Sequence, residues 1–153
     1  MLRPTILLFY GKGLMSAAIR WQTRSRYSHA AILLPDEQTI VEAWPGAGVH
    51  AKIITDWTGV ERFQVRTISR AGSEALMDFL VDQLGMGYDY KGVLRFLSRD
   101  PDIDQVRKCW FCSELVYAAY QAADVNLFND SESWEISPGM LARSPLLELI
   151  PNP

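Results

Sequence analysis

Cysteine and histidine each occur only twice in this chain, and the two cysteines, Cys109 and Cys112, stand three positions apart. So few thiols exclude a disulfide-stapled scaffold and point instead to a reducing compartment, a redox pair or a reactive thiol. Long apolar runs are also missing. The stretch from Thr5 to Tyr10 falls far short of the ~20 residues of a spanning helix and lacks the charged lead-in and small-residue exit of a signal peptide. The expected location is therefore cytoplasmic at synthesis, with export by another route left open. Neither sign of charge dominates: 15 Lys and Arg oppose 18 Asp and Glu, a net charge of -3. That balance gives no global pull toward nucleic acid. Repeats, low-complexity tracts and linkers are absent as well, so residues 1–153 are expected to form one domain.

What is present is enough apolar material for a real core, with 48% hydrophobic and 22% charged residues. The first two thirds open with strand-like runs: Thr5 to Tyr10, Ser28 to Leu34, Thr39 to Trp44, Val49 to Ile54 and Arg62 to Thr67. Turn-forming stretches at Pro35 to Gln38, Pro45 to Gly48 and Asp56 to Gly59 separate them, and an antiparallel meander is the simplest topology. Leu14 to Gln22 has room for two helical turns. From Ala71 the apolar spacing turns helical until Gly85, and Gly92 to Leu97 reads as a shorter helix. Pro101 to Gln105 is a polar connection. This order is that of an α+β protein.

The last clear helix carries the chemistry. Cys112, Leu115, Val116, Ala119 and Ala123 follow the i, i+3, i+4, i+7 rule, which puts Cys112 on the buried face and in the first turn. A helix N-terminus offers unpaired N–H groups and partial positive charge, both of which favour a thiolate. No Ser, Thr, Asp or Asn precedes Cys112 to cap those donors, so one of them, such as the N–H of Cys112, is available to a developing oxyanion. A cysteine on an apolar helical face is equally a small core residue, and a base must decide between the two.

Counting across the first hairpin supplies one. If Pro35 to Gln38 form a four-residue loop, Leu34 pairs with Thr39, Ala31 lies opposite Glu42, and His29 lies opposite Trp44. His29 and Glu42 then share a face as diagonal neighbours at about 7–8 Å, within reach of a glutamate that orients an imidazole. A loop one residue different would separate them. A half-buried strand histidine bonded to its neighbours is the plainer alternative. His50, at a strand edge, is expected to face solvent. Nucleophile Cys112, base His29 and orienter Glu42 make the required set. Tyr10 at the end of the first strand, Ser28 beside His29, and Trp44 are the candidate substrate-binding residues.

Three stretches, Tyr27-Ser28-His29-Ala30-Ala31-Ile32, Ile40-Val41-Glu42-Ala43 and Phe111-Cys112-Ser113-Glu114-Leu115-Val116, are similar to the histidine strand, third-residue strand and nucleophile helix of one family. Gly87-Tyr88-Asp89-Tyr90 is similar to a turn before that helix. In these residues and their order the chain resembles the circularly permuted branch of the NlpC superfamily of papain-like cysteine enzymes, the YiiX-like group, with lecithin:retinol acyltransferase-like proteins as distant relatives. The likeness spans about Thr5 to Ala123, and nothing after Asp124 is assigned. It implies a papain-like α+β fold with the Cys112 helix packed on an antiparallel sheet. It also implies attack on an amide or ester through a covalent acyl-enzyme, with a peptide, cell-wall or lipid acyl group as substrate. No metal or cofactor is implied, and the oligomeric state is left open.

Other uses of these residues compete. Cys109 and Cys112 form a C-x-x-C that, with His29 and His50, has the composition of a zinc site, but the histidines lie too far apart in sequence for the usual spacing. Redox chemistry would want a strand–helix–strand unit around the motif. A non-catalytic binding module of the same fold is the third alternative. Lys12, Arg20, Arg24 and Arg26 gather around Trp21, a pattern suited to peripheral contact with anionic lipid, with a solvated surface as the plainer reading. Trp44, Trp57, Trp110 and Trp134 are candidates for a groove, although tryptophans in a domain this size are mostly core. Asp89 reads as turn chemistry.

Overall fold

A computed structural model describes residues 3–93 and 109–153, apart from the side chain of Trp134. The strands are β1 (Thr5–Phe9), β2 (His29–Leu33), β3 (Thr39–Trp44), β4 (Gly48–Ile53), β5 (Val60–Val65), β6 (Gly87–Tyr88), β7 (Cys109–Trp110) and β8 (Leu147–Ile150). The helices are α1 (Leu14–Thr23), α2 (Arg70–Gln83), α3 (Cys112–Ala122) and the short α4 (Pro138–Leu141), with a 3₁₀ turn at Ser133–Glu135. The chain is thus α+β, as its pattern implies. Residues 90–93 are helical, whereas the rest of the Gly92 to Leu97 helix and the Pro101 to Gln105 connection lie outside the described residues.

Six strands form one antiparallel sheet in the order β4-β3-β2-β1-β5-β8, and β6 and β7 form a small parallel pair. The meander expected from sequence holds through β4 and then fails: β5 crosses to pair with β1, Ile6 opposite Phe63 and Phe9 opposite Val60. The physical reason lies in β1. Ile6 and Leu8 pack into the main core beneath the helices, while Leu7 joins Ala31, Leu33, Ile40 and Val60 on the other face. A strand buried on both faces belongs inside a sheet, not at its edge. The stretch after Asp124 supplies β8, which pairs with the free side of β5 from Arg62–Ile150 to Val65–Leu147.

α3 is buried nearly all round. Cys112, Leu115, Val116, Ala119 and Ala123 are all buried, as their spacing requires, and Tyr117 and Tyr120 are buried as well. The Tyr120 hydroxyl donates to the Pro4 carbonyl (3.0 Å), which ties the helix to the approach to β1. α2 begins with the Ser69 side chain accepting from the Gly72 N–H, a standard N-cap. It packs Leu76 and Leu80 against the same core.

One glycine is indispensable to the path of β4. Gly48 has φ +68°, and a Cβ there would clash with the Met86 carbonyl oxygen, which accepts from the Val49 N–H (2.8 Å). Gly48→Ala combines a left-handed backbone with a steric clash and is expected to cost about 2–3 kcal/mol of stability. A lower urea midpoint at unchanged m-value is the observable.

Candidate active site

Local chemistry sets the hairpin that builds the site. The Asp36 carboxylate accepts from the backbone N–H groups of Gln38 and Thr39 and from the Thr39 hydroxyl. It closes Pro35 to Gln38 as a four-residue loop, with Glu37 at φ 58°. Leu34 N–H then bonds to Thr39 O, and Leu33 pairs with Ile40 and Ile32 with Val41. That register puts His29 and Glu42 on one face, and the Glu42 carboxylate reaches across the diagonal to bond His29, Oε2 to Nε2 at 2.6 Å.

Cys112 is the first residue of α3. Phe111, the residue before it, is extended and provides no side-chain cap. Cys112 and His29 line the same cavity, and Cys112 acts on the His29 ring electrostatically. With Nε2 engaged by Glu42, Nδ1 is the ring nitrogen left for the sulfur. Both residues are buried, with His29 8% and Cys112 2% exposed. Burial pulls the His29 pKa down, but the Cys112 charge and hydrogen bond, together with those of Glu42, outweigh it and raise the pKa from 6.5 to about 9. Trp44 stands edge-on to the His29 ring at 4.9 Å between centroids, and Phe9 tilts against it at 5.2 Å.

Glu42 is 1% exposed and has more partners than sequence reasoning gave it. Its Oε1 lies 2.5 Å from Lys52 Nζ and 3.3 Å from His50 Nε2. His50, expected to face solvent, instead turns inward, because Glu42 sits directly opposite it in the β3–β4 ladder. Its other nitrogen, Nδ1, is 3.1 Å from the Gly48 carbonyl. Burial would raise the Glu42 carboxyl, yet the bonds and charges of His29 and Lys52 bring its pKa from 4.5 down to about 2. The carboxylate is therefore ionised at neutral pH.

Cys112, His29 and Glu42 open on one cavity of about 320 Å³. The three substrate-binding candidates line it as well. Tyr10 donates its hydroxyl to Glu61 and stacks on Tyr27, and the Arg26 guanidinium lies over both rings. The Ser28 hydroxyl accepts from the Gly11 N–H at 2.8 Å and so fixes the loop that forms one wall. Trp44 is 47% exposed at the rim. Tyr88, which sequence placed only in a turn, also lines the cavity. Its burial and the nearby Cys112 charge push its phenol upward, so the hydroxyl keeps its proton.

Trp57 and Trp110 do not contribute, and the Trp134 side chain lies outside the described residues. Trp110 packs on Phe79 and donates to Gln83, and Trp57 lies on the second face of the sheet beneath Arg62. Asp89 acts as a cap, accepting from the Gly92 N–H at 2.7 Å. Both cysteines are free thiols, with Cys109 half-buried in β7. Among the described residues, no three His, Cys, Asp or Glu side chains converge as metal ligands. The Lys52 ammonium already occupies the side of Glu42 where a cation would approach.

No family model matches the chain, and no curated protein matches it. Among solved structures, the fold is similar to the crystal structure of the metalloprotein yiiX from Escherichia coli O157:H7, DUF1105. The TM-score is 0.76 over 99% of this chain and 97% of that one, at 19% sequence identity. At that identity the likeness is one of fold, an α+β architecture consistent with a papain-like arrangement.

Proposed function

We propose that the protein is a thiol-dependent hydrolase or acyltransferase of the permuted papain-like type, working through a covalent acyl-enzyme on Cys112. The observation that carries this is that Cys112 shares a cavity with a buried His29 and acts on its pKa, and that the Nε2 of this histidine is held by an ionised Glu42. A structural core cysteine has no need of a histidine, still less of one oriented by a buried carboxylate. The name metalloprotein belongs to the structural neighbour; the donors around Cys112 do not fit a metal.

Catalysis follows from this arrangement. Proton transfer from Cys112 to His29 gives a thiolate–imidazolium pair, which the Glu42 charge stabilises. The thiolate attacks the carbonyl carbon of an amide or ester, and the C=O π electrons move onto oxygen. The Cys112 N–H at the start of α3 and the protonated Tyr88 hydroxyl, which lines the same cavity, are the donors we assign to that oxyanion. Collapse breaks the C–N or C–O bond as His29 gives its proton to the leaving group. Water or another nucleophile then enters with His29 as base and releases the acyl group.

Alkylation by iodoacetamide tests the pair without knowledge of the substrate. Cys112 in the parent is expected to label rapidly at about pH 6.5, at least tenfold faster than in His29→Ala. Cys112→Ala should show no fast-labelling site. Slow labelling of Cys112 that is indifferent to His29 would remove the catalytic reading.

A further inference from the structure

The two most exposed large apolar side chains among the described residues are Leu14, at 92%, and Trp21, at 80%, and both lie on α1. With Ala18 between them they follow i, i+4, i+7, a stripe turned away from Ile19, the one buried residue of the helix. Arg20 and Arg24 run along one flank. On the other flank Met15 turns from the stripe into the wall of the active-site cavity, which Lys12, Ser16 and Ile19 also line. Residues 11–26 hold Lys12, Arg20, Arg24 and Arg26 and no acidic residue, in a chain whose net charge is -3. Arg26 is paired with Glu61, Lys12 stands just before the helix at the cavity, and Arg20 in the last turn and Arg24 at the C-cap are the cations of α1.

We propose that α1 is an interfacial docking helix that seats the protein on an anionic lipid bilayer, with the mouth of the Cys112 cavity at headgroup depth. A helix with Trp and Leu on one side, flanked by Lys and Arg, is the form that lies in a membrane interface. Its cations add to the attraction of an anionic leaflet. A second copy of the chain is the poorer occupant. The exposed stripe is less than three turns long, well below the roughly 800 Å² per partner of a stable interface. A two-fold contact through α1 would also set Arg20 and Arg24 against their own copies. Trp44 and the half-exposed Lys52, whose ammonium is paired with Glu42, line the same cavity. The docking face stands apart from the thiol chemistry, since none of Leu14, Trp21, Arg20 or Arg24 touches Cys112 or His29.

Co-sedimentation of the full chain with sucrose-loaded vesicles tests this, comparing phosphatidylcholine alone with phosphatidylcholine containing about 30 mol % phosphatidylserine. The parent is expected to partition about tenfold more strongly onto the anionic vesicles. The double variant Leu14→Ala/Trp21→Ala should lose about tenfold of that binding, and Arg20→Glu/Arg24→Glu should fall to the level of neutral vesicles. Leu14, Trp21 and Arg24 are exposed and Arg20 is half-buried, and unchanged circular dichroism and melting will show that folding is intact. Cys112→Ala should bind as the parent does, which separates docking from catalysis. Failure to bind either vesicle, or binding indifferent to these changes, would overturn the proposal. So would a concentration-dependent dimer that Leu14→Ala/Trp21→Ala abolishes.

Discussion

His29→Ala is expected to slow acylation of Cys112 by an activated ester about 10³-fold with little change in KM, and added imidazole should restore part of the rate. Acyl-enzyme measured by intact mass in a single turnover is the readout. The loss is large because His29 serves twice, taking the thiol proton before attack and returning it to the leaving group. Cys112→Ala should form no adduct, and the double variant should be no worse than Cys112→Ala alone. The pH profile carries a further signature. His29 sits at about 9, so it holds its proton across neutrality and loses it as pH rises through that value. Turnover should therefore decline above about pH 9, where no proton is left for the leaving group. Iodoacetamide labelling needs no such proton and should not decline. Parallel decline of both would contradict the assigned role.

The hairpin between β2 and β3 was legible because one loop length fixes the parity of every residue beyond it, and Asp36 fixes that loop with its own side chain. The neighbouring hairpin does not yield to the same rule. Taking Pro45 to Gly48 as the loop would put Glu42 opposite Ala51 and turn His50 and Lys52 to the other face. The ladder in fact closes at Trp44–Gly48, with Gly48 in a left-handed conformation inside it. That single residue brings His50 opposite Glu42 and Lys52 alongside. The position of β5 depended on a different signal: the unbroken apolar run of β1, which marks an inner strand. The short run at Leu147–Ile150 has no alternation of its own and becomes a strand only because β5 leaves an edge free. The role of Tyr88 had no local signature, since the pairing of β6 with β7 that brings it near Cys112 is tertiary.

Glu42 is where stability and chemistry meet, and its replacement separates them. Glu42→Ala is expected to lose about 3 kcal/mol, because a buried carboxylate bonded to His29 and Lys52 disappears and leaves their charges unopposed. The dependence on pH follows in sign. The Glu42 pKa is depressed from 4.5 to about 2, so its contribution is complete above about 4.5 and fades as pH falls toward 2. The His29 pKa is raised from 6.5 to about 9, so its contribution is complete below about 6.5 and is lost as pH rises through 9. The stabilisation from the pair is thus fullest between about pH 4.5 and 6.5, and denaturation midpoints of parent and Glu42→Ala should differ most there. Glu42→Gln keeps the shape and a hydrogen-bonding oxygen but not the charge. It is expected to cost about 10- to 100-fold in acylation with KM unchanged. It should also move the alkaline limb of the turnover profile down from near 9 toward neutrality, since the imidazolium loses the carboxylate that favours it. Lys52, at 50% side-chain exposure, should matter less: Lys52→Met leaves His29 and His50 on the carboxylate, and the alkaline limb should stay close to its place. A Glu42→Gln limb that does not move would mean that the carboxylate only supports the sheet and does not tune the base.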